Sequence, residues 1–173
     1  MSARINNSVK RRNAIKSGEK VWTEVYFGRH KGKTLPQIIL SDPDWFFWAV
    51  SNNVFKGPLA RQAEDLERKA TAIKIPKRYP RKWEVEYRYE HDRQFIGFGF
   101  VKADSLTCTR SYSTIRLPYL DLSRIRQAKT YDKKGGKKVI RHFRVLYFGV
   151  GSRLTKRRCE EFFDDERNFV DLR

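Results

Sequence analysis

Apolar residues recur with a helical period in the first half of the chain. Between Pro58 and Ile73 they are spaced four and three positions apart, which predicts a helix with one buried face. An earlier helix is predicted from Pro43 to Asn53, because Asp42 is suited to cap its first turn and proline to begin it. This earlier segment is apolar nearly all round, so we expect other elements to cover it.

The period changes to two from Trp83 onward. Apolar and charged residues alternate as far as Glu90, a short polar turn follows, and a second apolar run extends from Gln94 to Lys102. This pattern predicts a long β-hairpin, and a further strand is predicted at Ser113–Leu117.

Two adjacent glycines indicate a turn in the last third of the chain. Residues 124–131 and 138–148 flank the sequence DKKGGK and are predicted to be the strands of a basic β-ribbon. Such a ribbon can enter a groove of a duplex or lie along its backbone. A C-terminal helix is predicted from Leu154 to about Asn168.

The order of these elements predicts an α+β fold with two small modules. A strand, a turn and two helices form the first module, at residues 21–73, and an antiparallel sheet with a C-terminal helix forms the second, at residues 83–173. Residues 1–20 are predicted to be a basic flexible arm. Residues 74–82, KIPKRYPRK, are predicted to be a basic linker, because two prolines end the preceding helix.

The net charge indicates an anionic partner. The chain carries 38 Lys and Arg against 20 Asp and Glu, a formal charge of +18, and self-repulsion of that size favours a partner that relieves it. Nucleic acid is the first expectation, with DNA weakly favoured over RNA; solubility alone, an anionic membrane and an acidic protein are the alternatives. With 12 Phe, 8 Tyr and 4 Trp, the chain has enough apolar surface to form a core.

Other features of the composition argue against several classes of protein. No run of 18 apolar residues is present to span a bilayer, and the N-terminus lacks the apolar segment of a secretion signal. Cys108 and Cys159 lack CxxC spacing, and the histidines lack the spacing of metal ligands. We therefore expect a cytoplasmic protein with no membrane contact, metal or cofactor.

A dense local group of cations lies in the stretch FGRHKGKTL, residues 27–35. Its basic side chains are Arg29, His30, Lys31 and Lys33. Gly28 and Gly32 bound them and tolerate positive φ, so a tight turn is predicted. Such a turn would present cations together with free backbone N–H groups, a combination that suits phosphate.

The same stretch resembles part of a known module. FGRHKGKTL, the apolar segment from Pro36 to Leu40 and the Trp-rich helix from Pro43 together resemble the module at the C-terminal end of exonuclease X-like proteins, which also occurs as small phage and bacterial proteins. The resemblance covers residues 21–73 and implies an accessory nucleic-acid-binding role. The exonuclease X catalytic domain, with its acidic metal-binding motifs, is not in this chain.

A shorter resemblance lies on the second strand of the hairpin. IGFGFVKA, residues 96–103, resembles the octapeptide of RNA-recognition-motif domains, which implies that Phe98 and Phe100 stack on bases. The alternative is that both are core residues and that the flat face formed by the two glycines of this motif admits a helix. Trp48, on the aromatic helix, is a third candidate for base stacking.

The turn, linker, ribbon and C-terminal helix together supply the candidate nucleic-acid-binding residues. They are Arg29, His30, Lys31, Lys33, Lys77, Arg78, Arg81, Lys82, Arg126, Lys133, Lys134, Lys137, Lys138, Arg157 and Arg158. Binding through these side chains would be mainly electrostatic, so we expect affinity to fall with salt and to show little sequence specificity.

Two other functions remain open at this point. Basic loops are also common in small subunits that dock on a polymerase or a ribonucleoprotein assembly. A metal-dependent nuclease would need clustered carboxylates, for which Glu84, Glu86 and Glu90 are the candidates. No catalytic residue is assigned, and an NTPase is not expected, because three residues separate Gly28 from Gly32 where a P-loop requires four.

Overall fold

The computed structural model describes residues 21–79, 82–90, 93–106, 112–126 and 133–171. Within them the chain has an α+β fold, in which three helices precede the main antiparallel sheet and two helices follow it. The helices are α1 Leu35–Ile39, α2 Pro43–Ser51, α3 Pro58–Ala70, α4 Lys133–Phe143 and α5 Lys156–Asp164; the strands are β1 Ile73–Lys74, β2 Trp83–Tyr89, β3 Phe95–Lys102, β4 Ser113–Leu117 and β5 Tyr119–Leu120. The predicted arm, Arg81 and the side chain of Lys133 lie outside the described residues.

The aromatic helix α2 begins where its capping signal predicts. The Asp42 carboxylate accepts the N–H of Trp45 at 3.4 Å, and Pro43 occupies the first turn. The helix ends at Ser51, slightly before the predicted end at Asn53.

The elements on either side of α2 are shorter than predicted. The strand expected at residues 21–27 is reduced to one antiparallel bridge between Glu24 and Thr34. Helix α3 ends at Ala70, because Ile73 already belongs to β1, which pairs with β5. The predicted linker therefore begins as a strand.

The predicted hairpin and the strand after it form one sheet. β2 pairs antiparallel with both β3 and β4, so the strand order is β3-β2-β4. The hairpin is confirmed, and β4 has its predicted bounds. Alternation along β2 turns Val85, Tyr87 and Tyr89 toward the core.

The basic ribbon predicted around DKKGGK is wrong, because residues 133–143 form the helix α4. Both glycines of the motif are buried within this helix, and neither has a positive φ. A Cβ on Gly136 would lie 3.6 Å from Cγ of Pro43 and 3.8 Å from Cβ of Asp44. These are ordinary van der Waals distances, so the crossing of α4 over the start of α2 leaves room for a methyl group at Gly136, and the glycine pair lies inside a helix although in sequence it looks like a turn signal.

Helix α4 also covers the outer edge of β3. The N–H of Phe98 donates to Nδ1 of His142 at 3.2 Å, and Nζ of Lys138 donates to the Phe95 carbonyl at 3.4 Å. Gly97 permits this approach, because a Cβ there would overlap the His142 ring. The flat glycine face thus admits a helix, the second of the two interpretations of IGFGFVKA, and the sheet edge is protected from pairing with another chain.

The two predicted modules share one hydrophobic core. α1 packs against α5, and α2 packs against α4. Buried residues from both halves belong to a single cluster that includes Phe46 of α2, Phe143 of α4 and Phe163 of α5. The predicted C-terminal helix is present as α5, followed by a 3-10 turn at Glu166–Asn168.

Candidate nucleic-acid interface

The exposed face of α4 carries only basic side chains in the described part of the helix. They are Lys134, Lys137 and Arg141, and Arg144 continues the series in the π-helical turn that follows. Spacings of three, four and three residues keep these side chains on one side of a helix, over about 15 Å at a rise of about 1.5 Å per residue. Val139 and Phe143, on the opposite side, are buried.

Among the described residues, no carboxylate pairs with the cations of the α4 face, which are Lys134, Lys137, Arg141 and Arg144. The sequence from residue 133 to residue 159 contains no Asp or Glu at all. A row of unpaired, exposed cations is the arrangement that exchanges counterions with a phosphate backbone.

The cations predicted on the C-terminal helix are in a different state. Arg157 pairs with Glu161 at 2.6 Å, and Lys156 pairs with Glu24 at 2.7 Å. Arg158 lies over the ring of Phe148. The charge of α5 is therefore largely balanced inside the fold, which accounts for basic residues at the end of a helix that its dipole disfavours.

Two other candidates from the predicted ribbon are tied to the core. Arg126 donates to the Asp44 carbonyl at 2.9 Å, and its guanidinium lies 3.6 Å from the carboxylate of the same residue. Lys138 is half-buried and donates to the Phe95 carbonyl. Arg126 thus fixes the chain before α4, and Lys138 fixes α4 itself, so neither side chain is free in solvent.

The basic turn has the predicted glycines but not the predicted free amides. Gly28 and Gly32 have φ of +61° and +82°, which favours glycine. The N–H of Lys31 donates to the Gly28 carbonyl at 3.2 Å, and the N–H of Lys33 donates to the His30 carbonyl at 3.1 Å. The N–H of Gly32 is also bonded, to Val25. The turn thus offers lysine side chains to a ligand, and these three amides are already used.

His30 does not belong to the cationic set. Its side chain is buried against the ring of Trp45, with centroids 4.5 Å apart, and Nε2 lies 3.2 Å from Oδ2 of Asp42. Burial is the largest cause of a lowered pKa for His30, despite the nearby carboxylate. The imidazole is therefore neutral at pH 7, and it anchors the turn to α2.

Arg29 is held in one orientation by the residue that caps α2. Its Nη2 lies 2.7 Å from Oδ2 of Asp42, and its guanidinium carbon lies 5.9 Å from the centroid of the Trp45 ring. The side chain is still 47% exposed. Asp42 therefore caps the helix and positions an arginine at its start.

Of the linker cations, Lys77, Arg78 and Lys82 are exposed. The guanidinium of Arg78 lies over Tyr79, whose ring packs 4.6 Å from that of Phe100. The linker is thus seated on the sheet up to Tyr79, and Lys77 and Arg78 project from this part of it.

The three candidates for base stacking differ in how far their side chains are exposed. Phe98 is only 5% exposed, between the rings of Tyr87 and His142, so the base-stacking interpretation of this residue is wrong. Phe100 is half-buried against Tyr79 and Tyr147. Trp48, in contrast, is 42% exposed.

The carboxylates considered for a nuclease do not form a metal site in the described structure. Glu86 is buried and receives hydrogen bonds from Arg88 at 3.0 Å and from Arg116 at 2.8 Å. Burial alone would raise the pKa of Glu86, but these two arginines bring it below its ordinary value. Within the described residues, no group of three or more His, Cys, Asp or Glu side chains is arranged to hold a metal ion.

Two residues of the basic face, Arg141 and Arg144, lie within a strand of the predicted basic ribbon but are not among the candidate residues. Their signal was present as the helical spacing of positive charge through residues 134, 137, 141 and 144. The glycine pair directed the interpretation toward strands, in which the same residues have no common face.

Comparison with known proteins leaves the family of this chain open. No family model, curated protein or solved structure matched it. The resemblance of residues 21–73 to the exonuclease X-type module therefore stays a hypothesis based on sequence. In the part of the chain that the structure describes, no helix combines the length and the apolar character needed to cross a membrane.

Proposed function

We propose that this protein binds nucleic acid without catalysing a reaction on it, and that the basic face of α4 holds the phosphate backbone. The observation that carries this proposal is the row of four exposed cations with no carboxylate partner among the described residues. Four positive charges along about 15 Å match a ligand whose negative charge repeats along its length.

The basic turn supplies a second group of cations, held at the N-terminus of α2. Asp42, the cap residue of α2, holds Arg29 of the turn. Helix α4 packs against the same helix. Among the described residues, Lys31 and Lys33 of the turn have no carboxylate partner, and they add two cations to the proposed set.

The distribution of ion pairs argues against a role for the charge in solubility alone. Lys156 and Arg157 of α5 pair with Glu24 and Glu161, whereas the exposed cations of the α4 face have no carboxylate partner among the described residues. A charge that served only solubility would not need to be concentrated on one face. The α4 face offers Lys and Arg but no amide or hydroxyl side chain, so it suits backbone contacts better than readout of base sequence.

A pair of charge-matched variants tests this proposal. The first replaces Lys134, Lys137, Arg141 and Arg144 with Gln, and the second replaces Lys156, Arg157, Arg158 and Arg167 with Gln. Each removes four positive charges, so the net charge of the two proteins is equal. We expect the α4 variant to lose at least about a hundredfold in affinity for a labelled oligonucleotide at low salt, and the α5 variant to lose far less. Equal losses would show that only total charge matters and would refute the proposed site.

A further inference from the structure

Helix α2 leaves one large aromatic side chain in solvent. Trp48 is 42% exposed, whereas its neighbours Phe46 and Phe47 are buried. Its ring lies 6.5 Å from that of Trp45, with an angle of 41° between the planes. Trp45 is half-buried and packs in turn against Phe55 and His30. The exposed indole is thus supported from within the fold.

One cation of the basic turn lies beside this pair of tryptophans. Arg29 lies 5.9 Å from the Trp45 ring and is fixed there by Asp42. Lys31 and Lys33 follow in the same turn, and neither pairs with a described carboxylate. The turn therefore places positive charge against the tryptophan that supports Trp48.

We propose that this surface binds a single-stranded segment of nucleic acid, with an unpaired base on Trp48 and the adjoining phosphates on Arg29, Lys31 and Lys33. The inference rests on the proposed function and names its ligand more closely. In a duplex, the faces of the bases are covered by their neighbours in the stack. Only an unpaired base can offer its face to an indole.

Charge complementarity selects this occupant over a protein partner. An apolar protein surface would fill the space over Trp48 but would leave Lys31 and Lys33 without counter-charges. A single strand meets both requirements, because it carries a π-face and a phosphate at every residue. Among the residues named for this surface, none is placed to distinguish one base from another, so stacking on Trp48 should not depend on the identity of the base.

The test compares ligands as well as variants. Affinities of the full-length protein, Trp48→Ala and Trp48→Phe are measured at one salt concentration for oligothymidylate and oligouridylate of about 12 nucleotides and for a blunt DNA duplex. We expect Trp48→Ala to weaken binding of both single strands about tenfold and to leave duplex binding within about twofold. Trp48→Phe keeps a smaller ring and is expected to lose less. Thermal melting of each variant establishes that it is folded.

The outcomes separate this inference from the proposed function. If Trp48→Ala weakens single-strand and duplex binding equally, or weakens neither, the stacking site is refuted while the α4 interface stands. Binding to the duplex alone by the unaltered protein also refutes it. If the unaltered protein binds none of these ligands, the proposed function fails and this inference fails with it.

Discussion

Neutralising the basic face of α4 should change the salt dependence of binding by a calculable amount. Among the described residues, no carboxylate pairs with six exposed or half-exposed cations of the α4 face and the turn, which are Lys31, Lys33, Lys134, Lys137, Arg141 and Arg144. Each phosphate contact contributes about −0.9 to the slope of log affinity against log salt for duplex DNA and about −0.7 for a single strand. Six contacts therefore predict a slope of about −5 for a duplex and about −4 for a single strand.

The substitution Lys134→Gln, Lys137→Gln, Arg141→Gln and Arg144→Gln removes four of these contacts. Two contacts remain, so the expected slope falls to about −2 for a duplex. Between about 50 and 200 mM salt, the unaltered protein should lose about a thousandfold in affinity and the variant about tenfold. Glutamine keeps the helical propensity of these positions, so the fold should be unaffected.

Fluorescence anisotropy of a labelled duplex, titrated at several salt concentrations, measures both slopes. The α5 variant described above is the control, because it has the same net charge but retains the α4 face. We expect its slope to stay close to that of the unaltered protein. A slope that is unchanged in the α4 variant, or reduced equally in both variants, would refute the assignment of phosphate contacts to α4.

Three further predictions concern the fold that presents this face. Gly136→Ala should raise the free energy of unfolding by about 0.5 to 1 kcal/mol, because the new methyl makes ordinary contacts and the residue lies inside a helix. A lower free energy of unfolding in a urea titration would favour the turn predicted from the sequence DKKGGK. Gly97→Ala should lower the free energy of unfolding by about 1 to 3 kcal/mol, because the methyl overlaps the His142 ring. The loss should be smaller when His142 is also replaced by alanine. Equal losses in the two backgrounds would exclude this contact. Stability should also fall as pH decreases below about 6.5, because burial, the largest cause, lowers the pKa of both His30 and His142. As pH falls, the imidazoles of the unfolded chain bind protons before those of the folded protein do. The stability that is present above the pKa of the unfolded chain is therefore lost as pH falls toward the pKa of the folded protein. A melting temperature independent of pH between about 7.5 and 5 would contradict this reasoning.

The parts of the fold that sequence predicted correctly depend on signals close together in the chain. The Asp42–Pro43 cap places the start of α2, and period-two alternation from Trp83 places the hairpin. The parts it missed depend on distant partners. Gly136 lies against Pro43, which is more than ninety residues away, and Gly97 is required by a histidine on α4. No local pattern distinguishes such glycines from those of a turn.

The residues of the candidate site also divide into those that local sequence predicts and those whose state depends on distant partners. A count of Lys and Arg identifies the basic segments, but it does not show which cations the fold neutralises. Lys156 meets Glu24 only after the chain has folded, and burial against Trp45 lowers the pKa of His30. The sequence therefore predicted the turn and half of the α4 face, while ion pairing of Lys156 and Arg157 and burial of Phe98 set these residues apart from the proposed interface.

The central claim is that the α4 face and the turn contact the phosphate backbone while α5 does not. Lysine acetylation rates, measured residue by residue by mass spectrometry with and without a bound oligonucleotide, test it on the unaltered protein. We predict that the nucleic acid slows acetylation of Lys31, Lys33, Lys134 and Lys137 and leaves Lys156, which is 47% exposed, unchanged. Protection of Lys156 with no protection of Lys134 and Lys137 would contradict the account.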